Sequence, residues 1–222
     1  LDTKIMILVH GGGWKEGDKS DMNNFKDYLR EQLPNIAVVN MNYRLADANN
    51  APFPMQIDDI TAVVNELKNM QHKYQIGSDI GLLGVSAGGH LSLLWAYAFD
   101  TDEQVKMVTS VVGPTNLADD NYINSPNQEL RDLIFQFGTD IEVLKSVSPY
   151  YKVSASSPPT QLFYGKHDPL IPNSQGIDLN AKLDSLNVKH EFTHYENGAH
   201  GWIGLDLLDT SIKLKAFIES NL

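Results

Sequence analysis

At 222 residues, with 42% hydrophobic and 20% charged side chains, the chain has the size and composition of one globular domain able to bury a substantial core. Its formal charge of -11, from 28 Asp and Glu against 17 Lys and Arg, argues against nucleic acid as a partner, because phosphate contacts need clustered basic side chains and no such run occurs. The absence of cysteine removes disulfides, thiolate metal sites and a thiol nucleophile, and no apolar run approaches the ~20 residues of a membrane span.

Short apolar, β-branched runs recur along the chain: "KIMILVH" (4–10), "IAVVNMN" (36–42), "IGLLGV" (80–85), "MVTSVVG" (107–113), "TQLFYG" (160–165) and "HEFTHY" (190–195). Several are continuous rather than alternating, as expected of strands covered on both faces. Between them, helical spacing marks 22–32, 55–71, 87–99, 127–147, 173–186 and 205–220. The alternation of strand and helix predicts a single α/β domain over 1–222 with a mostly parallel sheet. Residues 114–159 exceed a simple crossover and are expected to form an insertion over the top of the sheet. A strand so close to Leu1 reads as a chain that has lost upstream sequence. A signal peptide removed there would place the protein outside the cytoplasm.

In an open parallel sheet, ligands bind beyond the carboxyl ends of the strands. Those positions hold "HGGGW" (10–14), "GVSAGGH" (84–90), "KHDPLIP" (166–172) and "ENGAHGW" (196–202), so glycines, a serine, an aspartate and a histidine share one edge. Gly84-x-Ser86-x-Gly88 fits the G-x-S-x-G nucleophile elbow, in which small neighbours leave room for a strained strand-to-helix turn. The pattern alone is common; its place after an apolar strand and before "GGHLSLLWAYAF" gives it weight.

A serine needs a base. Of seven histidines, His200 lies in a small-residue loop after the last strand and comes last in the order Ser…Asp…His. His72, His190 and His194 fall in a helix end or a strand, His10 precedes the glycines, and His90 reads as a helix residue below the site. Asp168, in a Pro-bounded turn after a strand, is the candidate carboxylate that orients the imidazole; Asp140 reads as a helix start and Asp178 as a helix face. Gly11 and Gly12, with the N–H of Ala87, are the candidate oxyanion donors. The glycine run lacks the spacing of a phosphate loop.

With these residues in place, the chain resembles the α/β-hydrolases. It is most similar to the esterase branch around hormone-sensitive lipase and to the carbohydrate-directed acetyl and feruloyl esterases. The matching stretches are "HGGGWKEGDK" (10–19), "NYRL" (42–45), "FPMQIDDITAVV" (53–64), "GVSAGGHLSLL" (84–94), "GKHDPLIP" (165–172) and "GAHGW" (198–202), in family order. The resemblance implies acyl-ester hydrolysis without cofactor or metal: Ser86 attacks, His200 shuttles the proton and Asp168 orients it. The substrate is then a small-molecule or carbohydrate-linked ester; nothing in the sequence fixes an oligomeric state.

The chain departs from the branch in lacking the usual antiparallel hairpin before its first strand. It also lacks a helical N-terminal cap and an acid at Val85, which favours the smaller carbohydrate-esterase-like group. Trp14, Leu170 and Trp202 are expected to line the substrate pocket, with Pro114, Leu117, Tyr122, Phe135 and Ile171 as further candidates. Arg44 is expected to pair with Asp58 or Asp59. An aryl formamidase, a peptidase of the same fold and an inactive binding scaffold are the alternatives.

Overall fold

The computed structural model describes residues 2–222; Leu1, on which the expectation of missing upstream sequence rests, lies outside them. The strands are β1 (Lys4–Val9), β2 (Ile36–Met41), β3 (Ile80–Val85), β4 (Val105–Val111), β5 (Thr160–Gly165) and β6 (His190–Tyr195). They form one sheet in the order β2-β1-β3-β4-β5-β6, and every neighbouring pair is parallel. Successive side chains of a strand point to opposite faces. Met6, Ile7, Leu8 and Val9 are all fully buried, as are Leu82 and Leu83, so the central strands are covered on both sides, while the edge strands β2 and β6 are partly exposed. That explains why these runs are continuously apolar.

The helices are α1 (Asn23–Gln32), α2 (Met55–Asn69), α3 (Gln71–Tyr74), α4 (Ala87–Ala98), α5 (Asp120–Ile123), α6 (Gln128–Ile134), α7 (Ile141–Ser146), α8 (Pro149–Lys152), α9 (Ser174–Ser185) and α10 (Leu205–Asn221). Helix α4 is buried continuously from Ala87 to Ala96. It touches β1, β3 and β4 on the sheet side and α2 and α8 on others, so it has no solvent face to keep polar. This is the central helix of the molecule. Arg44 and Asp59 pair at 2.7 Å, fixing the loop after β2 to α2.

The winding direction reverses at β1, which has β2 on one side and β3 on the other. A crevice therefore opens where the loops after β1 and β3 diverge. The pairing Val9↔Gly84 brings those loops out side by side. The "HGGG" loop and the Ser86 turn are thus neighbours by topology, although 75 positions separate Gly11 from Ser86.

The continuous helix expected over 127–147 is instead broken. Gly138 takes φ +113 after a 3-10 turn at Phe135–Phe137, and Asp140 caps α7 by accepting from the N–H of Glu142. The four-residue helices α3, α5 and α8 were not expected at all, being too short to show a helical period. The strand expected to run to Gly113 ends at Val111, because Val112 turns at φ 48.

Leu82 fills the two-sided core at the middle of β3 with no solvent exposure. Leu82→Ala is expected to lower unfolding free energy by about 2–5 kcal/mol, measured by urea denaturation, with an unchanged m-value.

Candidate active site

Ser86 joins β3 to α4 with φ 54 and ψ -120, a conformation that costs a non-glycine residue strain. The strain is held from both sides: its N–H donates to Val111 O at 2.8 Å, and its carbonyl accepts from His90 N at 3.1 Å. A Cβ at Gly84 would lie 2.1 Å from Gly88 O, and one at Gly88 would lie 2.1 Å from Val9 O. Both glycines are therefore demanded by close backbone approach. The N-terminus of the 12-residue α4 begins beside Ser86, so its positive dipole end faces the hydroxyl.

Asp168 follows β5 in a tight turn. Its Oδ1 accepts from the N–H groups of Leu170 and Ile171 at 2.8 and 3.0 Å, and its carboxylate is almost fully buried. Oδ2 lies 2.8 Å from His200 Nδ1. Since a carboxylate accepts, Nδ1 carries the proton, which leaves Nε2 as the acceptor facing Ser86 Oγ at 3.1 Å. The three expected residues are thus brought into one hydrogen-bonded line. A hydroxyl so placed can hand its proton to Nε2 when it attacks an electrophile.

The two loops that carry Asp168 and His200 are tied to each other and to the body. His167 N donates to Gly198 O at 2.8 Å, and Lys166 N donates to Tyr195 O at 3.0 Å. Trp202 donates its indole N–H to Thr210 at 2.7 Å and packs on Tyr195 at 4.6 Å between centroids. The Tyr195 hydroxyl also reaches Thr210 and Asp209. The histidine loop is therefore bolted to α10.

The loop after β1 is oriented through its carbonyls. Tyr43 OH donates to His10 O at 2.8 Å and to Gly11 O at 3.2 Å, and His10 Nδ1–H donates to Gly11 O at 2.6 Å. Lys15 and Glu16 N–H groups take Gly12 O, and Gln136 Nε2 takes Gly13 O at 3.1 Å. In a planar trans peptide the next N–H points opposite to the carbonyl. Each fixed carbonyl thus sets the direction of the N–H group that follows it, those of Gly11, Gly12 and Gly13. Among the described residues, none of these three N–H groups, nor that of Ala87, donates to another backbone group outside helices and strands. Gly11 itself sits against Ser86: a Cβ there would be 3.2 Å from Ser86 Cβ.

Tyr43, Gln136 and Gly13 were missed at the sequence level. In "NYRL" the charge of Arg44 predicts a partner, whereas nothing local marks Tyr43 as a donor to residues 32 and 33 positions earlier. Burial pushes the Tyr43 phenol well above its usual range, so it keeps its proton and remains a donor.

Trp14 is a correction. It was expected to line a substrate pocket, yet its side chain is 1% exposed and lies in the core against Phe137 and His90. Its φ of 64 turns the ring inward just after the glycines. Leu117, Tyr122 and Ile171 are likewise core residues, as is Pro114. Leu170 is 40% exposed beside Asp168, and Trp202 is half-buried in the contacts already described. A cavity of about 660 Å³ opens beside the glycine loop, with Lys15, Asp47, Asn49, Asp132, Phe135 and Gln136 in its wall. A more apolar cavity of about 620 Å³ runs along β2 and α2, two strands away from Ser86, and has no part in this constellation.

His90 is fully buried, and desolvation holds its pKa down at about 4, against a weaker upward pull from its bond to Val147 O. An unfolded histidine titrates near 6.5, so the unfolded chain takes up a proton that the folded one refuses until pH 4. This contribution to stability is complete above pH 6.5 and is lost as pH falls toward 4. Its size at that end is about 3 kcal/mol in order of magnitude. His90→Gln, which cannot titrate, is expected to show a shallower decline of unfolding free energy over this window than the parent protein.

The BD-FAE family model matches residues 1–183. Esterase LipC of Mycobacterium tuberculosis is 26% identical over 224 residues, an alignment covering 92% of this chain and 54% of LipC. The chain thus spans about half the length of that relative. Among solved structures, carboxyl esterase 2 of the mycorrhizal fungus Tuber melanosporum superposes with a TM-score of 0.83 at 21% identity, covering 98% of this chain and 79% of that one. A truncated carbohydrate esterase from gut microbiota gives 0.78 at 22% identity, covering 97% and 87%. With the six-stranded parallel sheet, these matches place the fold, and the family match places the chain: it belongs to the BD-FAE family and is an α/β-hydrolase of the esterase and lipase type.

Proposed function

We propose that the protein is a serine carboxylesterase that cleaves short-chain acyl esters, acetyl or feruloyl esters of carbohydrates being the preferred class. The observation that carries this reading is the line Asp168–His200–Ser86, with contacts of 2.8 and 3.1 Å, ending beside unpaired backbone N–H groups. Ser86 Oγ attacks the ester carbonyl while His200 Nε2 takes its proton, and Asp168 steadies the imidazolium. The N–H groups of Ala87 and of the glycine loop receive the oxyanion. The tetrahedral adduct collapses as His200 returns the proton to the departing alcohol, which leaves the acyl group on Ser86. Water then attacks that ester, again through His200, and releases the carboxylic acid. No cofactor or metal enters any step.

The substrate class is supported by the similarity to carbohydrate-directed esterases. Leu170, exposed beside Asp168, is placed at the rim of the same edge.

Hydrolysis of p-nitrophenyl acetate and butyrate tests the reaction type. Ser86→Ala is expected to lower kcat by on the order of 10⁴ or more, and a fluorophosphonate probe should label the parent protein but not the variant. Equal turnover by both would remove Ser86 from the mechanism. Asp168→Asn, which keeps the geometry but favours the wrong imidazole tautomer, is expected to lower kcat by about 10⁴ with little change in KM. A panel of acetylated and feruloylated oligosaccharides set against N-formylkynurenine tests the substrate class. Faster cleavage of the formamide would assign the chain to the amide reaction instead.

A further inference from the structure

His90 closes the "GVSAGGH" motif one helical turn beyond Ser86, and the mechanism above does not use it. The ring is fully buried, and both of its nitrogens are engaged. Trp14 Nε1–H donates to Nδ1 at 3.1 Å, which makes Nδ1 the unprotonated nitrogen. The proton then sits on Nε2, which donates to Val147 O at 2.8 Å. Trp14 and Phe137 stand edge-on to the imidazole at 5.2 and 5.5 Å, and to each other at 5.0 Å. One imidazole thus joins three separate pieces of chain: the residue directly after the oxyanion glycines, the helix that follows the nucleophile, and the 114–159 segment.

We infer that His90 is a positioning residue that sets the oxyanion loop against the nucleophile helix by gripping Trp14, and registers the 114–159 segment on both. The inference rests on the esterase reading above. The contact with Trp14 matters because Trp14 carries a strained φ of 64 directly after Gly13, so any relaxation of the ring passes into the glycine peptides. The same segment grips Gly13 a second time, through the Gln136 side chain on its carbonyl and Leu133 beneath its Cα. Among the described residues, His90 is the one residue of α4 whose side-chain hydrogen bonds reach both other pieces. Neutral imidazole is suited to this because it offers one acceptor and one donor on opposite sides of a flat ring, and burial keeps it neutral.

The test uses three variants of the full chain. His90→Leu removes both polar contacts at similar volume. His90→Gln restores an acceptor and a donor on an amide of comparable reach. Trp14→Phe keeps the aromatic ring but removes its N–H, and serves where His90→Leu fails to fold. Values of kcat and KM on p-nitrophenyl acetate are normalised to active sites titrated with a fluorophosphonate, with thermal unfolding measured in parallel.

His90→Leu and Trp14→Phe are each expected to lower kcat by about 10- to 100-fold at nearly constant KM, less than the loss of a whole oxyanion donor. The double variant should be little worse than either single one, since both break one contact. His90→Gln should recover most of the loss. A lowered unfolding temperature with unchanged kcat per titrated site would overturn the inference, as would a Gln variant no better than Leu. An inactive parent protein would overturn the esterase reading along with it, whereas an active parent with unimpaired variants would overturn this inference alone.

Discussion

The Cα of Gly88 lies against the carbonyl of Val9 with no room for a side chain, and the rest of the site depends on that contact. It presses the first turn of α4 onto the end of β1. Because β1 and β3 are neighbours in register, the contact also fixes where the chain can go after each of them. The β1 loop must leave on one side of Ser86, with Gly11 against its Cβ. A side chain at position 88 would push the helix off the sheet, and with it the dipole, the Ala87 N–H and the strained Ser86 backbone. The strain at Ser86 is affordable because so many surrounding bonds and contacts over-determine it.

Hydrogen-bond accounting then does for the glycine loop what packing does for the elbow. Four successive carbonyls, from His10 to Gly13, find donors from Tyr43, His10, Lys15, Glu16 and Gln136. The only side chain the loop itself contributes among these donors is the His10 imidazole, and a side chain at Gly11 would crowd Ser86. Its free N–H groups are a remainder, left over once the carbonyls are satisfied. That is a general route to an anion site: not donors added, but acceptors removed.

Much of this was legible in the sequence, for a physical reason. The central strands are buried on both faces and advertise themselves as continuous apolar runs, whereas the edge strands β2 and β6 are partly exposed; all six were found with ends shifted by at most two residues. Ser86, Asp168 and His200, which the structure brings into one hydrogen-bonded line, were singled out because each follows a strand at the same edge. What stayed hidden were contacts between segments distant in sequence that carry no periodic signal. Tyr43 stands in "NYRL", where Arg44 is the side chain whose charge predicts a partner. Trp14 looked like a pocket wall because it follows the glycines, but a positive φ turns it into the core. His90 looked idle because both of its partners, Trp14 and Val147, lie more than 50 positions away. The break in the predicted 127–147 helix was in principle readable, since Gly138 ahead of a capping Asp140 is a stop followed by a start.

The 114–159 segment draws these points together. Its helices have four, seven, six and four residues, lengths at which a helix in water is not stable on its own. Side-chain caps at Asp119, Asn127 and Asp140 hold three of the N-termini. Order must otherwise come from outside the segment. It does so at both ends: Gln175 of α9 accepts from the N–H groups of Thr115 and Asn116, while His90 of α4 binds Val147 O. In between, Phe137 packs on Trp14 and Gln136 binds Gly13. The dependence is mutual, because the three glycines have no side chains with which to order themselves and, besides His10 and Tyr43, rely on Gln136, Phe137 and His90. A segment too short-limbed to fold alone and a loop too bare to hold its shape alone therefore stabilise one another, with the His90 imidazole on α4 between them.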